Sequence, residues 1–542
     1  RSMVAMPVGK KMCPEFLREA GYYCTNNSKT DYNLQEPKAL WNESSGKASW
    51  KSRAEGQPFF AVFNSTKSHE SQIRTRPHTQ ITQPADVRVP AYHPDTPEVR
   101  EDWAQYYDKV SEADADAGKH LKEIEEAGLA DDTIVFYYGD HGSGMPRSKR
   151  WPSNSGLHVP MVVFFPKKWQ HLAPKEYRVG GKSERLVSFV DLAPTVLSIV
   201  GIKPPEWMQG HAFAGPYQEE LQPFIYGERG RMDERMDLVR SVTDGRYVYL
   251  RNFYPHVSQA QQVAYQFATP TTRVWKALFD EKKTTAAQSI FWQVPKASEE
   301  LYDLLADRDE VNNLAQSAEH QIILEKLRTA LQTHLVEVRD VCFLPELEMH
   351  KRSEGSAPYD MARDPAKYPL NRILAAAELA SNLDPAVAPA LVKLTGDDDS
   401  AVRFWGILGL HMRGAEVVKQ NIDVLKKGLS DDSANVRIAS AQALGTYGDA
   451  AVLTQALETL GKLAPPETNG VLTSMAALAA IEALGTKAAP LHAAIRAMNP
   501  KGSSPDERFE SYVPRLIQNI CPGVKPAGAK RQKQKKNKPT VP

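Results

Sequence analysis

Cysteines and long hydrophobic runs are scarce in this sequence. Its four cysteines have neither the close spacing of a zinc site nor the density of a disulfide scaffold: Cys13, Cys24, Cys342 and Cys521. No apolar stretch is long enough to cross a bilayer. A formal net charge of +1 gives no reason to expect nucleic acid or a membrane surface as a partner. These absences leave an ordinary globular composition, and 542 residues give room for more than one domain.

The usual features of a protein's beginning are absent as well. The chain opens at Arg1 with no initiator methionine, no apolar signal segment and no small-residue cleavage site. We therefore expect its first residues to be the middle of a protein. The sequence itself leaves the compartment undetermined.

The most informative stretch runs from Thr133 to Tyr138 and leads into Gly139, Asp140 and His141. Its β-branched and aromatic residues, closed by glycines, predict a fully buried strand that delivers Asp140 and His141 into a loop. Ligands of open α/β sheets bind at such strand ends, so this pair indicates a site for a metal or an oxyanion. The alternative is that both side chains only hydrogen-bond the turn.

Two earlier strand ends repeat this pattern. Lys29 and Asp31 follow a strand predicted at about Tyr22–Thr25, and His69 lies in the loop after a strand predicted over Pro58–Phe63. Taken alone, each could be no more than a solvated turn. Successive strands that end in polar, titratable loops meet at one edge of a sheet, where a site is expected.

A long helix is predicted before the Asp140 strand. From about Pro97 to Ala127 apolar residues recur at steps of three, four and seven, and Gly128 stands where a C-terminal cap belongs. The order of strands and helices predicts an α/β fold, with a doubly wound, mainly parallel sheet and helices on both faces.

Three cations follow the Asp140 loop within four residues: Arg147, Lys149 and Arg150. Charge runs are usually solvated surface. These cations nevertheless share the neighbourhood of Asp140, where they would form a positive cleft wall.

Several stretches then carry a family resemblance in chain order. They are Leu17 to Tyr23 before Lys29, Phe59 to Phe63 before His69, Gly128 to Val135 before Asp140, Asp191 to Leu197, Asp244 to Leu250 and Glu300 to Leu314. This succession, which extends to about Leu335, resembles the sulfatase family of the alkaline-phosphatase superfamily. The resemblance implies a sulfatase α/β domain over residues 1–223, with its first segment missing, and a smaller C-terminal subdomain over residues 224–345.

The resemblance also implies roles for the cations and the histidine. Lys29 would hold the nucleophile and the sulfate, and Lys149 would grip a sulfate oxygen. Arg147 is close enough in sequence to exchange roles with Lys149. His69 would contact the ester oxygen and protonate the leaving alcohol. Asp31, which stands where the family has a histidine, is a further substrate-binding candidate.

Asp140 and His141 are implied as two ligands of the family's calcium ion. Calcium prefers oxygen donors, so the alternatives for His141 are a hydrogen bond to the sulfate or a different divalent metal.

The family's nucleophile is a formylglycine made from Cys or Ser in a Cys/Ser-x-Pro-x-Arg motif, and these 542 residues contain no such motif. The family's paired N-terminal aspartates are missing too. We expect both to lie upstream of Arg1 and therefore expect this chain as given not to hydrolyse sulfate esters.

The implied function is sulfuric-ester hydrolysis on a sulfated small molecule or polysaccharide. One alternative is a catalytically inactive, sulfatase-like binding protein. Another is a phosphodiesterase or phosphonate hydrolase of the same superfamily. A periplasmic or secreted location follows from the resemblance alone.

The remaining chain has a different, Ala- and Leu-rich character. An Asp-Ser-Ala pattern precedes Val402-Arg403 and occurs again before Val436-Arg437. This repetition resembles HEAT repeats and predicts a solenoid over residues 365–500. A plain helical bundle is the alternative. The repeats would recruit a polysaccharide, a protein partner or another copy of the chain. Residues 501–542 are expected to be a linker and a basic, unstructured tail, with Lys530–Lys538 solvated rather than bound to nucleic acid.

Overall fold

The computed structural model describes residues 3–523, so the predicted basic tail lies outside the described residues. Residues 3–341 and 353–370 form one compact unit, and residues 342–352 belong with those from 371 onward in a second. Among the described residues, no helix combines the length and the apolar character needed to span a membrane.

The first unit begins with alternating helices and short strands. Its elements up to residue 199 are α1 (Cys13–Glu19), β1 (Tyr23–Asn27), β2 (Glu43–Ser44), β3 (Phe59–Phe63), α2 (Glu70–Ile73), α3 (Pro97–Glu126), β4 (Val135–Tyr138), α4 (Asn154–Leu157), β5 (Met161–Phe164) and α5 (Leu192–Ile199). The α/β class is thus confirmed, and the predicted strands and the long helix occur within a few residues of their expected bounds.

β1 lies between β2 and β3 and runs parallel to both. Asn26 pairs with Ser44, and Asn27 pairs with Phe63. Leu17 and Cys24 form a core with Leu197, which fixes α1 and α5 on this sheet. The ends of β1 and β3 are therefore held side by side.

β4 departs from the expected single, mainly parallel sheet. It pairs antiparallel with β5, and within the described residues it is not hydrogen-bonded to β3. Between β4 and β5 lies the one-turn helix α4 and no long crossover helix of the kind that usually joins a parallel pair. The strand is also not fully buried, because Tyr137 is 37% exposed and Tyr138 is 40% exposed.

α3 confirms the predicted long helix. Thr96 caps it by accepting a hydrogen bond from the amide of Val99, and Pro97 occupies the first turn. The buried residues of its first turns pack against Ile73 and Met145. Because Met145 belongs to the loop after β4, this packing fixes the loop that carries the predicted cations.

An antiparallel sheet in the order β6-β7-β8-β9 follows. The elements here are β6 (Ile225–Arg229), β7 (Val239–Thr243), β8 (Tyr247–Asn252), α6 (Ala264–Phe267), α7 (Pro270–Asp280), α8 (Ala286–Ser289), β9 (Glu299–Asp303) and α9 (Gln321–Val338). Trp275 and Phe291, from the long β8-β9 connection, pack on Trp151 of the cation loop. This packing brings the connection up to the predicted site.

The rest of the described chain is helical. Its helices are α10 (Glu346–Arg352), α11 (Pro358–Met361), α12 (Leu370–Ser381), α13 (Ala388–Leu394), α14 (Ser400–Met412), α15 (Ala415–Gln420), α16 (Ile422–Gly428), α17 (Ala434–Tyr447), α18 (Ala450–Leu463), α19 (Pro466–Ala483), α20 (His492–Ala497) and α21 (Tyr512–Ile520).

The repeated Asp and Arg residues join successive helix pairs. Asp399 caps α14 by accepting from the amide of Ala401 at 2.8 Å, and it accepts two bonds of 2.9 Å from Arg352. Arg403 makes the corresponding pair with Asp431, at 2.8 and 2.9 Å. The recurring sequence pattern therefore encodes a ladder of bidentate ion pairs along the helical unit.

We predict that the helical unit folds by itself and that its first helix is α10. A fragment of residues 342–523 should be more stable than one of residues 365–500, because the shorter fragment loses the pair between Arg352 and Asp399 and the bond from Trp405 to the carbonyl of Phe343 at 2.9 Å. Thermal unfolding followed by circular dichroism measures both. Equal midpoints, or limited proteolysis of the whole chain that never yields a stable helical fragment, would contradict this.

Candidate functional site

The loops after β1 and β4 meet. The ammonium group of Lys29 lies 3.4 Å from the Oδ2 atom of Asp140 and 3.9 Å from Asp31. The other carboxylate oxygen of Asp140 is 3.5 Å from the Nε2 atom of His141. Although β3 and β4 are in different sheets, the predicted convergence of strand ends is present.

The loop after β3 joins this group through His69. Its Nε2 atom lies 3.3 Å from the Nζ atom of Lys149, and its Nδ1 atom lies 2.9 Å from the hydroxyl of Ser71. Burial, followed by the charges of Lys149 and Lys29, lowers the pKa of His69 to about 4. The imidazole is therefore neutral at pH 7, and the positive charges of both Lys149 and Lys29 act on it, an environment that favours an anion.

Glu70 is the functional residue that sequence reasoning missed. It is fully buried, and its Oε2 atom lies 2.9 Å from Arg150 and 3.8 Å from Lys149. Arg74 is 4.0 Å from its other oxygen. The sequence shows a carboxylate directly after His69, but it does not show that this carboxylate is buried. Glu70 therefore offsets part of the positive charge of Lys149 and Arg150. Asp233, which lies 3.9 Å from Arg150, offsets a further part.

Gly144 allows the loop after β4 to approach Glu70. A Cβ atom added at Gly144 would lie 2.7 Å from the Cα atom of Glu70, closer than such contacts occur. The glycines that follow Asp140 are thus needed for packing of the site.

Arg147 is not part of this group, contrary to the prediction. It is 2% exposed, its guanidinium lies 4.4 Å from the centre of the Tyr92 ring, and it donates hydrogen bonds to the carbonyls of Asp309 and Glu310. Its positive φ of 67° turns the chain at this point, so Arg147 faces the β9 side while Lys149 faces His69. It is a structural residue and cannot exchange roles with Lys149.

His93 joins the loop that follows β4 to helix α3 through two hydrogen bonds. Its Nε2 atom donates to the carbonyl of Pro146 at 3.0 Å, and its Nδ1 atom accepts from the indole of Trp103 at 3.1 Å. These bonds require the neutral imidazole, and burial lowers the pKa of His93 to about 3.

We expect the free energy of unfolding to fall as the pH drops below 6.5. The unfolded chain takes up a proton at His93 there, whereas the folded chain does not until about pH 3. The stabilisation is complete above pH 6.5 and has declined by about 2 kcal/mol at pH 5. Urea unfolding between pH 7.5 and 5 should show a smaller decline for His93→Gln than for the wild type. His171→Gln, at an exposed position, is the control, and an unchanged decline in His93→Gln would contradict the assignment.

The residues present do not fit a calcium site on their own. Among residues 3–523 there is no group of three or more His, Cys, Asp or Glu side chains arranged to hold a metal ion. Asp140 and His141 supply two ligands, whereas calcium takes six to eight oxygens. Burial opposes ionisation of Asp140, but His141 and Lys29 outweigh it and lower its pKa, so this carboxylate is already paired with a cation.

Comparison with known proteins agrees with this arrangement. Residues 14–202 match the sulfatase family model, and residues 361–445 match the model of HEAT repeats. This chain contains a sulfatase-family domain followed by HEAT repeats. The range that matches the sulfatase model includes Lys29, His69, Asp140, His141 and Lys149. The range that matches the HEAT-repeat model includes the ion pair between Arg403 and Asp431.

Two curated relatives are sulfatases. An ulvan-active sulfatase of Formosa agariphila is 36% identical over 396 residues, which are 66% of this chain and 65% of that protein. Human N-sulphoglucosamine sulphohydrolase is 30% identical over 283 residues, which are 48% of this chain and 53% of that protein. The chain thus spans less than two thirds of the length of either relative. Both names are those of hydrolases of sulfated compounds.

Two solved structures match parts of this chain. A protein in complex with its substrate D-glucosamine-2-N,6-O-disulfate matches with a TM-score of 0.35 and 14% identity, over 60% of this chain and 82% of that one. A phosphonate monoester hydrolase of Agrobacterium radiobacter matches with a TM-score of 0.37 and 16% identity, over 53% and 58%.

Proposed function

We propose that this domain is the substrate-binding part of a sulfatase that hydrolyses sulfate esters of saccharides. The observation that carries the proposal is the contact between His69 and Lys149, at 3.3 Å, beside Lys29. Two ammonium groups around a neutral imidazole match a sulfate ester, which has anionic oxygens and one ester oxygen that must leave. The names of the curated relatives support a saccharide as the alcohol part.

In the proposed reaction Lys29 and Lys149 bind the non-bridging oxygens of the sulfate. The bound anion adds negative charge beside His69, which favours the protonated form of the imidazole. As the bond between sulfur and the ester oxygen breaks, that oxygen takes the proton of His69 and leaves as the alcohol. The proposal assigns the attacking oxygen to a formylglycine hydrate outside these 542 residues.

The experiment compares this chain with a version extended upstream through a Cys/Ser-x-Pro-x-Arg segment and matured by a formylglycine-generating enzyme. Substrates are an aryl sulfate and sulfated ulvan oligosaccharides, with N-sulfo-D-glucosamine, a sulfamate without an ester oxygen, as a comparison. We expect turnover by the extended protein only. Equal activity in both would place the nucleophile elsewhere, and no activity with the motif present would favour the binding-protein alternative. Phosphonate and phosphodiester substrates, run in parallel, distinguish the third candidate.

We predict that calcium binds this chain weakly, with a Kd of about 1 mM or weaker, because two ligands and a competing lysine make a poor site. Calorimetric titration measures the affinity, and Asp140→Asn should abolish what binding there is. A micromolar Kd would show that further oxygens converge on Asp140, and the calcium role would then belong to this chain.

The HEAT repeats remain assigned to recruitment of a polysaccharide, a protein partner or another copy. Analytical ultracentrifugation of the chain alone tests the last of these directly.

A further inference from the structure

The long connection between β8 and β9 places one aromatic ring against the site. Tyr265, on α6, meets the ring of His69 edge-on with their centres 6.2 Å apart. The guanidinium of Arg74 lies over the same tyrosine ring at 4.4 Å, and that of Arg150 lies at 5.9 Å. Tyr265 is half-buried.

This ring is held in place by contacts on both sides of it. The amide of Ala264 donates to Glu234 at 2.6 Å. Arg74 donates from its Nη1 atom to the hydroxyl of Thr269 at 3.4 Å and to the carbonyl of Glu70, also at 3.4 Å. Thr271 donates from both its amide and its hydroxyl to the buried Asp102, at 2.8 and 2.7 Å. Tyr265 is therefore a positioned side chain and not the tip of a loose loop.

The position of Tyr265 determines which part of a substrate it can contact. In the proposed reaction His69 delivers a proton to the leaving oxygen, so the carbon skeleton that bears this oxygen must begin next to His69. A separation of 6.2 Å between ring centres leaves Tyr265 within the width of one sugar ring. The flat face of an aromatic ring suits the C–H face of a sugar, and a guanidinium stacked on it adds donors for hydroxyl or acidic groups.

We propose that Tyr265 and Arg74 form the subsite for the sugar ring that bears the sulfate ester. This inference rests on the proposed function and adds the part of the site that selects a saccharide over other sulfated alcohols. Tyr265 contacts the sugar and leaves the sulfate group to Lys29 and Lys149.

Isothermal titration calorimetry on the whole chain tests the subsite. The probes are inorganic sulfate, sulfated ulvan oligosaccharides and N-sulfo-D-glucosamine. Tyr265→Ala should weaken binding of the better saccharide probe about tenfold and leave inorganic sulfate unchanged, since one stacked ring is lost. Tyr265→Phe should stay within about twofold of the wild type. Tyr217→Ala, at an exposed tyrosine, is the matched control, and Lys149→Met should weaken every probe.

The outcomes separate the two proposals. If Tyr265→Ala weakens inorganic sulfate as much as the saccharide, the residue only supports the site and the subsite is refuted. If Tyr265→Ala binds the saccharide as the wild type does, the subsite is likewise refuted while the sulfate site stands. If the wild type binds none of the three probes, the proposed function fails, and the subsite fails with it.

Discussion

Replacement of His69 by glutamine is expected to slow hydrolysis of a sugar sulfate by about 10²- to 10⁴-fold in the extended, formylglycine-bearing protein. This is the usual contribution of a positioned general acid. Glutamine retains the approximate size of the side chain and can still contact Lys149, but it has no proton to give. The measurement is kcat/KM for a sulfated ulvan oligosaccharide, with thermal unfolding used to show that the variant is folded.

A comparison of two substrates with different leaving groups gives a stricter test of this prediction. A nitrophenolate leaves without needing a proton, so His69→Gln should slow hydrolysis of 4-nitrophenyl sulfate far less than that of the sugar sulfate. Lys149→Met should slow both substrates to a similar degree, because the lysine contacts the sulfate group that they share. Equal losses for both substrates in His69→Gln would contradict its role as the acid and assign it to sulfate binding.

Local sequence patterns were sufficient for the elements that carry the site. The helix predicted from Pro97 is present as Pro97–Glu126, because its apolar periodicity and caps are local signals. The predicted meeting of Lys29, His69 and Asp140 is also present, although the single parallel sheet from which it was predicted is not, because β4 pairs with β5.

Three features of the site depend on non-local contacts and were not predictable. Arg147 and Lys149 are two positions apart, and only the left-handed turn at Arg147 sends them to different neighbours. Burial of Glu70 depends on Gly144, which is distant in sequence. Tyr265 reaches His69 through a connection whose sequence has no motif that marks it as part of a site. Sequence reasoning thus predicted which loops meet but not the side chains that support and border them.

Replacement of Glu70 by alanine is expected to cost about 3–5 kcal/mol of unfolding free energy, because it removes the nearest carboxylate partner of the buried Arg150. Arg150 is 8% exposed and lies 2.9 Å from this carboxylate, so it cannot regain full hydration in the folded state. Urea unfolding of the wild type and the variant measures the loss. Glu228→Ala is the matched control, since the Glu228 side chain is 75% exposed and should change stability by no more than about 0.5 kcal/mol.

Sulfate should rescue the Glu70→Ala variant, and this response distinguishes a site from an ordinary buried ion pair. The same cations, Lys149 and Arg150, face Glu70 within 4 Å, and a sulfate anion bound at His69 would replace part of the missing negative charge. Added sulfate should therefore raise the unfolding midpoint of Glu70→Ala more than that of the wild type, because a ligand that binds only the folded state stabilises that state more when it binds more tightly. Chloride at matched ionic strength controls for screening. An equal rise in both proteins would show that sulfate does not reach these cations, and the binding site would then have to lie closer to Lys29 and Asp140.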